Sequence, residues 1–171
     1  MSHCCPTTDD TESCAIPAED QQIAAVAVDS CPVCGQKGKP VKRITMQSLL
    51  AISLLALRHV PYRFCLTPHC PVVYFATDGG QTFTTDQVRE RVHQKNTSDD
   101  VPVCYCFRFT PADIRGELAE TGTSTVAARI SQGVREGRCA CEIRNPQGSC
   151  CLGNVQAVVK RVEAALAWAS S

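Results

Sequence analysis

The sequence predicts an α+β protein in which a small unit of strands and helix is followed by a mostly helical unit. Three observations support this fold class. Strand-like apolar stretches occur in the first half, helix start and stop signals are concentrated in the second half, and a polar stretch separates them. We expect a mobile tail at residues 1–28, a first domain at 29–93, a linker at 94–101 and a second domain at 102–171.

The elements of the first domain follow from short patterns. C-P-V-C-G at 31–35 is typical of a tight turn, and P-V-K-R-I after it is a strand candidate. Apolar residues over 45–57 recur near helical spacing and predict a helix with Thr45 as its N-cap. Y-R-F-C-L and P-V-V-Y-F-A predict two strands, and D-G-G at 78–80 predicts a hairpin turn. T-T-D-Q-V-R-E-R-V indicates a short closing helix.

The second domain has clearer helix boundaries. T-P-A-D at 110–113 combines an N-cap, a proline at the first helical position and an acid at the third, so it predicts a helix that Gly122 ends. A second helix is expected from about Ser124 to Gly137. The last helix is amphipathic. Its apolar face carries Val155, Val158, Val162 and Leu166.

Composition and charge exclude several classes of function. The 171 residues carry 17 basic and 17 acidic side chains, so no nucleic acid or anionic membrane is indicated as the main partner. The N-terminus has neither the basic start nor the apolar core of a secretory signal. The longest apolar run, 44–57, is shorter than the roughly 20 residues of a bilayer span. Since we also find no Ser–His–Asp pattern, phosphate loop or working carboxylate pair, we expect a cytoplasmic protein without enzymatic activity in the ordinary sense.

Thirteen cysteines dominate the remaining signal. Cytoplasmic thiols stay reduced, so a dense pattern there indicates metal binding or catalysis more than disulfides. The odd count also fits a disulfide framework poorly. Metal binding is therefore the working hypothesis.

The first thiol pattern is a C-x-x-C turn at Cys31 and Cys34, followed about thirty residues later by Cys65 and Cys70. Zinc takes four ligands in a tetrahedron, and four thiolates would close the site, so we expect a structural zinc that contributes folding energy. His69 is an alternative to Cys70 as the fourth ligand. The other interpretation is that these cysteines pack as small apolar residues.

The second thiol pattern has six cysteines at two predicted helix starts. They are Cys104, Cys106, Cys139, Cys141, Cys150 and Cys151. An iron–sulfur cluster with four thiolates is an anion, and helix N-termini stabilise anions. The N-P-Q-G turn at 145–148 folds the later cysteines back on the earlier ones. Zinc would accept the same ligands, but the helix starts favour a cluster.

These residues carry a resemblance to a known family. V-C-Y-C-F-R-F-T-P-A-D-I, followed by C-A-C-E-I-R-N-P-Q-G-S-C-C-L-G, resembles the bacterioferritin-associated ferredoxin-like (BFD-like) [2Fe–2S] unit of the CopZ family of copper chaperones. C-P-V-C-G and F-C-L-T-P-H-C-P-V-V-Y-F resemble the zinc-binding unit of the same proteins. The resemblance covers about 29–168. It implies a small zinc-ribbon-like domain followed by a mostly helical BFD-like domain.

The resemblance also implies ligands. The zinc ligands would be Cys31, Cys34, Cys65 and Cys70. The cluster ligands would be Cys104, Cys106, Cys141 and Cys151. We prefer Cys141 and Cys151 because the N-P-x-G-x-C-C turn aligns on them, with Cys139 and Cys150 as the alternatives and otherwise spare thiols.

The chain departs from the family in one respect. CopZ proteins carry a second, heavy-metal-associated domain with a Met-x-Cys-x-x-Cys copper loop, whereas the methionines here, Met1 and Met46, precede no C-x-x-C. We therefore expect that domain to be lacking, which argues against direct hand-over to a copper pump. The tail residues His3, Cys4, Cys5 and Cys14 would bind Cu(I) as soft ligands or simply be solvated.

The leading functional hypothesis is an iron–sulfur electron-transfer protein of copper homeostasis. It would reduce Cu(II) to Cu(I) or serve a partner reductase, with a redox protein or a copper-transport or chaperone protein as its partner. The alternative is a soft-metal chaperone or sensor that holds Cu(I) with the tail and the spare thiols. A third hypothesis is a scaffold in which the cluster is only structural. No particular oligomeric state is indicated.

Overall fold

The computed structural model describes residues 28–169, so the predicted tail, apart from Val28, lies outside the described residues. The described chain combines an antiparallel sheet with helices, which confirms the α+β class. The strands are β1 Lys39–Val41, β2 Tyr62–Phe64, β3 Val72–Ala76 and β4 Thr82–Thr84. The α-helices are α1 Arg43–Leu49, α2 Pro111–Thr121, α3 Val126–Arg135, α4 Cys141–Arg144 and α5 Leu152–Ala169. Short 3-10 turns cover Leu54–Ala56, Thr85–Gln87 and His93–Lys95.

The four strands form one sheet in the order β1-β2-β3-β4, with every neighbouring pair antiparallel. The predicted hairpin turn between β3 and β4 is confirmed. Gly79 adopts φ 73°, a conformation that favours glycine, and the Gly80 N–H donates to Asp78 Oδ1 at 2.9 Å. β3 is buried along its whole length because it separates two groups of side chains. Val73 and Tyr74 pack into the apolar core, whereas Val72 and Phe75 pack against cysteines.

The predicted helix over 45–57 is wrong beyond Leu49. The Ala51 N–H donates to the Gln87 carbonyl at 2.8 Å, and the Arg89 N–H donates to the Leu49 carbonyl at 2.8 Å. This long-range pairing replaces helical hydrogen bonds that the local apolar spacing predicts. Thr45 is not the N-cap, because it lies buried inside α1 while Lys42 occupies the cap position. The closing helix after β4 is also reduced, to the 3-10 turn Thr85–Gln87.

The second half is a helical layer in which the start and the end of α2 agree with the sequence, α3 covers the inner part of the helix predicted over 124–137, and α4 was not predicted. The Asp113 N–H donates to Thr110 Oγ1 at 3.2 Å at the start of α2, and Gly122 ends the helix with φ 73°. α5 packs against both α2 and α3. The predicted apolar face of α5 is confirmed: Val155 and Val158 are buried, and Val162 and Leu166 pack against the same core. Within the described residues, no helix combines the length and the apolar character that crossing a bilayer requires.

Direct contacts join the two halves of the described chain. The Tyr74 hydroxyl of β3 donates to the Pro146 carbonyl at 2.7 Å, and α1 lies against α4. From the stretch predicted as a linker, Gln94 Nε2 donates to Gln147 Oε1 at 2.8 Å. Lys95, in the same 3-10 turn, donates from Nζ to the Thr67 carbonyl at 2.6 Å. The 145–148 turn of the second half therefore rests on residues of the first half.

Candidate metal centres

Four thiols converge at one end of the sheet. The Sγ atoms of Cys31, Cys34, Cys65 and Cys70 all lie within 4.8 Å of one another. The closest pairs are Cys31–Cys70 at 3.8 Å and Cys34–Cys65 at 3.6 Å. Three of the four side chains are buried, and Cys34 is half-buried. The structure thus brings together all four residues that the sequence predicts as zinc ligands.

Two tight turns produce this group. The Cys31 N–H donates to the Gln36 carbonyl at 2.9 Å and the Gly35 N–H donates to the Cys31 carbonyl at 2.8 Å, which folds the C-x-x-C segment into a knuckle. Gly35 takes φ 70° there. Cys65 directly follows β2, and its N–H donates to the Val73 carbonyl at 2.9 Å. The antiparallel pairing of β2 and β3 therefore fixes the second pair of thiols opposite the first.

The thiols of this group differ in their pKa values. A hydrogen bond with Thr67 Oγ1, 3.2 Å from Cys34 Sγ, lowers the pKa of Cys34 to about 6. Burial raises the pKa of Cys31, and burial raises the pKa of Cys70 to about 12. A divalent cation would hold all four as thiolates, and four sulfur donors around one point fit Zn²⁺. The His69 side chain is exposed and is not part of this group.

A second set of thiols lies in the helical half and forms two pairs. Cys106 Sγ and Cys141 Sγ are 3.7 Å apart. Cys104 and Cys151 are buried in the same cluster, where the Cys151 thiol lowers the pKa of Cys104 to about 7 and the Cys104 thiol raises the pKa of Cys151. The structure therefore pairs the four residues that the resemblance implies as cluster ligands, two by two.

The first two thiols of this set are positioned by a tight turn before α2. The N–H groups of Val103 and Cys104 both donate to the Phe109 carbonyl, at 2.9 and 3.1 Å. Arg108 turns the chain with φ 62°, an uncommon conformation for a residue other than glycine. The Phe107 ring then packs on Gly133 of α3, where an added Cβ would lie only 2.4 Å from the ring. This packing holds the Cys104–Cys106 turn against the helices.

The later thiols are positioned by α4 and by the turn after it. The Ala140 N–H donates to Cys106 Sγ at 3.3 Å, just before α4 begins at Cys141. Gln147 Nε2 donates to the Cys150 carbonyl at 2.9 Å, which fixes the chain where it enters α5. Cys151 therefore lies directly before the first helical residue, as the sequence predicts. The Cys106–Cys141 pair and the Cys104–Cys151 pair together supply four thiols. Four thiols are the donor set of a [2Fe–2S] cluster, in which two cysteines bind each iron.

The two remaining cysteines of this half stand outside the pairs. Cys139 is half-buried and Cys150 is exposed, and both are free thiols. Burial is the main cause that raises the pKa of Cys141; the neighbouring Cys106 and then Cys139 and Cys150 add to it. Both spare thiols are therefore close to the predicted cluster ligands. His3, Cys4, Cys5 and Cys14 lie outside the described residues.

Sequence reasoning missed the polar residues that support both sites. Thr67, which contacts Cys34, looks in the sequence like an ordinary residue of a T-P-H turn. Gln147 is buried and bonds to residues on both sides of the junction, but the N-P-Q-G pattern draws attention only to its proline and glycine. The sequence feature that could have indicated Gln147 is a polar residue between Pro and Gly, close to the adjacent cysteines 150 and 151.

Comparison with known proteins gives three findings. A family model described as a zinc-binding domain, of the CopZ type, matches residues 28–89. The copper chaperone CopZ of Archaeoglobus fulgidus is 30% identical over 143 residues, which cover 78% of this chain and 68% of that protein. The X-ray structure of the Archaeoglobus fulgidus CopZ N-terminal domain superposes with a TM-score of 0.65 at 26% identity, covering 75% of this chain and 96% of that one. The family match includes all four thiols of the first site and supports Zn²⁺ as its ion.

Proposed function

The chain belongs to the CopZ family, which gives it a role in metal handling, and from this premise we propose that it is a zinc-stabilised [2Fe–2S] electron-transfer protein of copper homeostasis. The observation that carries the proposal is the contrast between two thiol sites. One gathers four sulfurs around a single point, and the other holds two separate pairs. A single zinc ion suits the first arrangement, and two irons suit the second.

The zinc ion would be structural. Four sulfur donors leave no open coordination position for water or substrate, so the ion would contribute folding energy rather than chemistry. The group also closes the end of the sheet, because Val72 and Phe75 of β3 pack directly against its cysteines. We expect the first half of the chain to depend on this ion for its folded state.

The cluster would be held by Cys104 and Cys151 on its buried side and by Cys106 and Cys141 on its more exposed side. When bound, a [2Fe–2S] cluster takes up and releases one electron at a time, which is the change that Cu(II) needs to become Cu(I). The Ala140 N–H, which donates to Cys106 Sγ, would stabilise negative charge on that sulfur and so affect the reduction potential. The half-buried Cys106–Cys141 pair offers the shorter route to a partner at the surface.

The remaining features belong to the same proposal. We assign the zinc site to a domain at 29–93 and the cluster to a BFD-like domain at 102–171, joined at 94–101, in a cytoplasmic protein that acts as a redox carrier rather than an enzyme. Its partners would be a reduced electron donor and a copper-transport or chaperone protein.

Copper carriage is the second candidate function. It is supported by the name of the relative from Archaeoglobus fulgidus, a copper chaperone, and by the two spare thiols beside the predicted cluster ligands. Soft thiolates are the ligands that Cu(I) prefers. In this version the cluster would be structural or sensory, and copper would be bound without a change of oxidation state.

The two candidates differ in what happens to added Cu(II). Protein that has been reduced with dithionite and freed of excess reductant is mixed anaerobically with Cu(II) and a chromogenic Cu(I) chelator. Free thiols also reduce Cu(II) as they form disulfides, so the same protein that has not been reduced with dithionite gives the background. Electron transfer predicts about one Cu(I) per chain above this background, since a [2Fe–2S] cluster stores one electron. Cys104→Ser, which removes a predicted ligand, serves as the control and should show no such difference. An equal dithionite-dependent yield in the native chain and this control would contradict the electron-transfer proposal and favour carriage.

A further inference from the structure

We propose that Cys139 and Cys150 together form a separate Cu(I)-binding site beside the predicted cluster. The inference deepens the proposed function and rests on it, because it takes Cys104, Cys106, Cys141 and Cys151 as the cluster ligands. It assigns a role to the two thiols that neither metal centre uses. It also places the site of Cu(I) capture where an electron would reach copper.

Both thiols line one open groove of about 590 Å³. Cys139 enters it from the segment before α4, and Cys150 enters it from the turn before α5. Each is a free thiol, and within residues 28–169 neither Sγ takes part in a hydrogen bond. Two accessible sulfurs in one groove are therefore available to a ligand.

The pairing of the predicted cluster ligands brings these two thiols to the same groove. Cys141 contacts Cys106, and Cys151 contacts Cys104. Cys104 and Cys106 lie on one turn and are separated by a single residue. The loop from 141 to 151 is thereby held at both ends. Cys139 lies two residues before the loop begins, and Cys150 lies inside it, immediately before Cys151.

The donor set of the groove selects a soft ion. Cu(I) prefers thiolate ligands, whereas Zn²⁺ takes four ligands in its protein sites. In the described part of the chain, no compact group of three or more His, Cys, Asp or Glu ligands includes either spare thiol. The acidic residue of the groove, Glu142, is held by Lys42 at 2.5 Å. Two sulfurs without a further ligand suit Cu(I) better than Zn²⁺.

The walls of the groove suit a weakly hydrated ion and a docking partner. Val134 and Ile143 line it and are 37% and 45% exposed. Apolar walls favour an ion that has exchanged its water for sulfur ligands. Because the groove is open, the thiols of an acceptor protein can reach the bound ion and replace Cys139 and Cys150 one at a time. The same groove then serves capture and transfer.

The test measures Cu(I) binding on the metal-loaded full chain in a background where Cys4, Cys5 and Cys14 are serine, so that the tail does not contribute. Cu(I) is titrated anaerobically against a Cu(I) chelator. Cys139→Ser and Cys150→Ser are each expected to weaken binding by more than about tenfold, because loss of a ligand should exceed the about 10–100-fold cost of losing an outer-shell partner. The double variant should bind one Cu(I) fewer. Glu142→Gln, in the same groove, is the matched control and should bind Cu(I) normally.

Iron content, zinc content and visible absorption of each variant separate the inference from the proposed function. Unchanged metal content with lost Cu(I) binding supports the separate site. Equal Cu(I) binding in parent and double variant overturns the inference and leaves the proposed function standing. Loss of iron from the double variant also overturns it, because Cys139 or Cys150 would then be a cluster ligand. Absence of iron from the parent overturns the proposed function, while the Cu(I) comparison still decides whether the two thiols bind copper.

Discussion

The two thiol-rich regions of this protein use the same side chain in different arrangements. In the first, the C-x-x-C knuckle and the connection between β2 and β3 bring four sulfurs within 4.8 Å of one another. In the second, a turn and two helix starts hold the Cys106–Cys141 pair and the Cys104–Cys151 pair. In the first region four sulfurs form one compact group, whereas in the described part of the second region no compact group of three or more ligands joins the two pairs. The same ligand type is therefore presented by two backbone architectures, and the proposed assignment of one zinc ion and one two-iron cluster rests on that difference.

The two regions also differ in what surrounds the sulfurs. The first group is packed against the sheet, and Thr67 supplies a side-chain hydroxyl to Cys34. The second receives a backbone N–H from Ala140, and one of its pairs is half-buried. A buried, closed site favours a permanent structural ion, whereas an electron carrier needs an accessible side.

The largest effect is expected when a ligand of the compact group is removed. Cys65→Ser should lose zinc and unfold the first half at temperatures where the native chain is folded, because structural zinc contributes about 10–16 kcal/mol of apparent binding free energy. Zinc analysis and thermal unfolding measure this. Cys150→Ser, an exposed thiol, is the control and should keep its zinc. A Cys65→Ser chain with full zinc content and unchanged thermal unfolding would argue against the four-thiol site.

The next effect concerns the paired thiols and should separate the two regions. Cys104→Ser should lose its visible absorption and iron while it retains zinc, because one iron would lack a ligand and the first group is untouched. Cys139→Ser should keep both metals. Visible spectra and metal analysis of the two variants are the measurement. Retention of iron by Cys104→Ser would contradict its role as a ligand, and loss of iron from Cys139→Ser would favour Cys139 over Cys141.

A smaller effect is expected at the junction. Tyr74→Phe removes the donor to the buried Pro146 carbonyl and should lower the free energy of unfolding by about 1–3 kcal/mol. It should also speed the loss of iron to a chelator, because that turn precedes Cys150 and Cys151. Tyr62→Phe is the matched control, since the Tyr62 hydroxyl donates to Gln81 within the first half. Equal rates of iron loss in the two variants would show that the junction does not support the second site.

The smallest effect is a pH dependence at the same junction. Burial, with a further contribution from Arg161, lowers the pKa of His93 below its ordinary value of 6.5. The unfolded chain therefore takes up this proton more readily, so His93 contributes stability above pH 6.5 that is lost as the pH falls through the folded-state pKa. His93→Gln should show a shallower decrease in unfolding free energy on acidification than the native chain. Denaturant unfolding over this pH range measures both, and identical slopes would contradict the prediction.

Much of this fold could be predicted because its signals are local. The helix after Thr110, the stop at Gly122 and the hairpin at Gly79 each depend on neighbouring residues, and all three are confirmed. The same holds for the C-x-x-C knuckle at 31–35. Its convergence with Cys65 and Cys70 follows from two strands that the sequence also predicts.

The parts that could not be predicted depend on distant contacts. α1 ends at Leu49 because the chain there pairs with residues 87–89, which no local pattern reveals. The short helix α4 and the positive φ of Arg108 determine which thiols meet, and neither has a sequence signal. The preference for Cys141 over Cys139 came from a resemblance and stays a prediction, although only Cys141 is paired with Cys106 in the structure.

The most direct test of the account is metal analysis with electron paramagnetic resonance on the full chain, purified without oxygen. The account predicts about two iron atoms and about one zinc ion per chain, as one cluster and one closed thiolate site require. It also predicts a paramagnetic signal that appears on reduction with dithionite, because one-electron reduction leaves an unpaired electron. A colourless protein with zinc at both sites and no signal would contradict it.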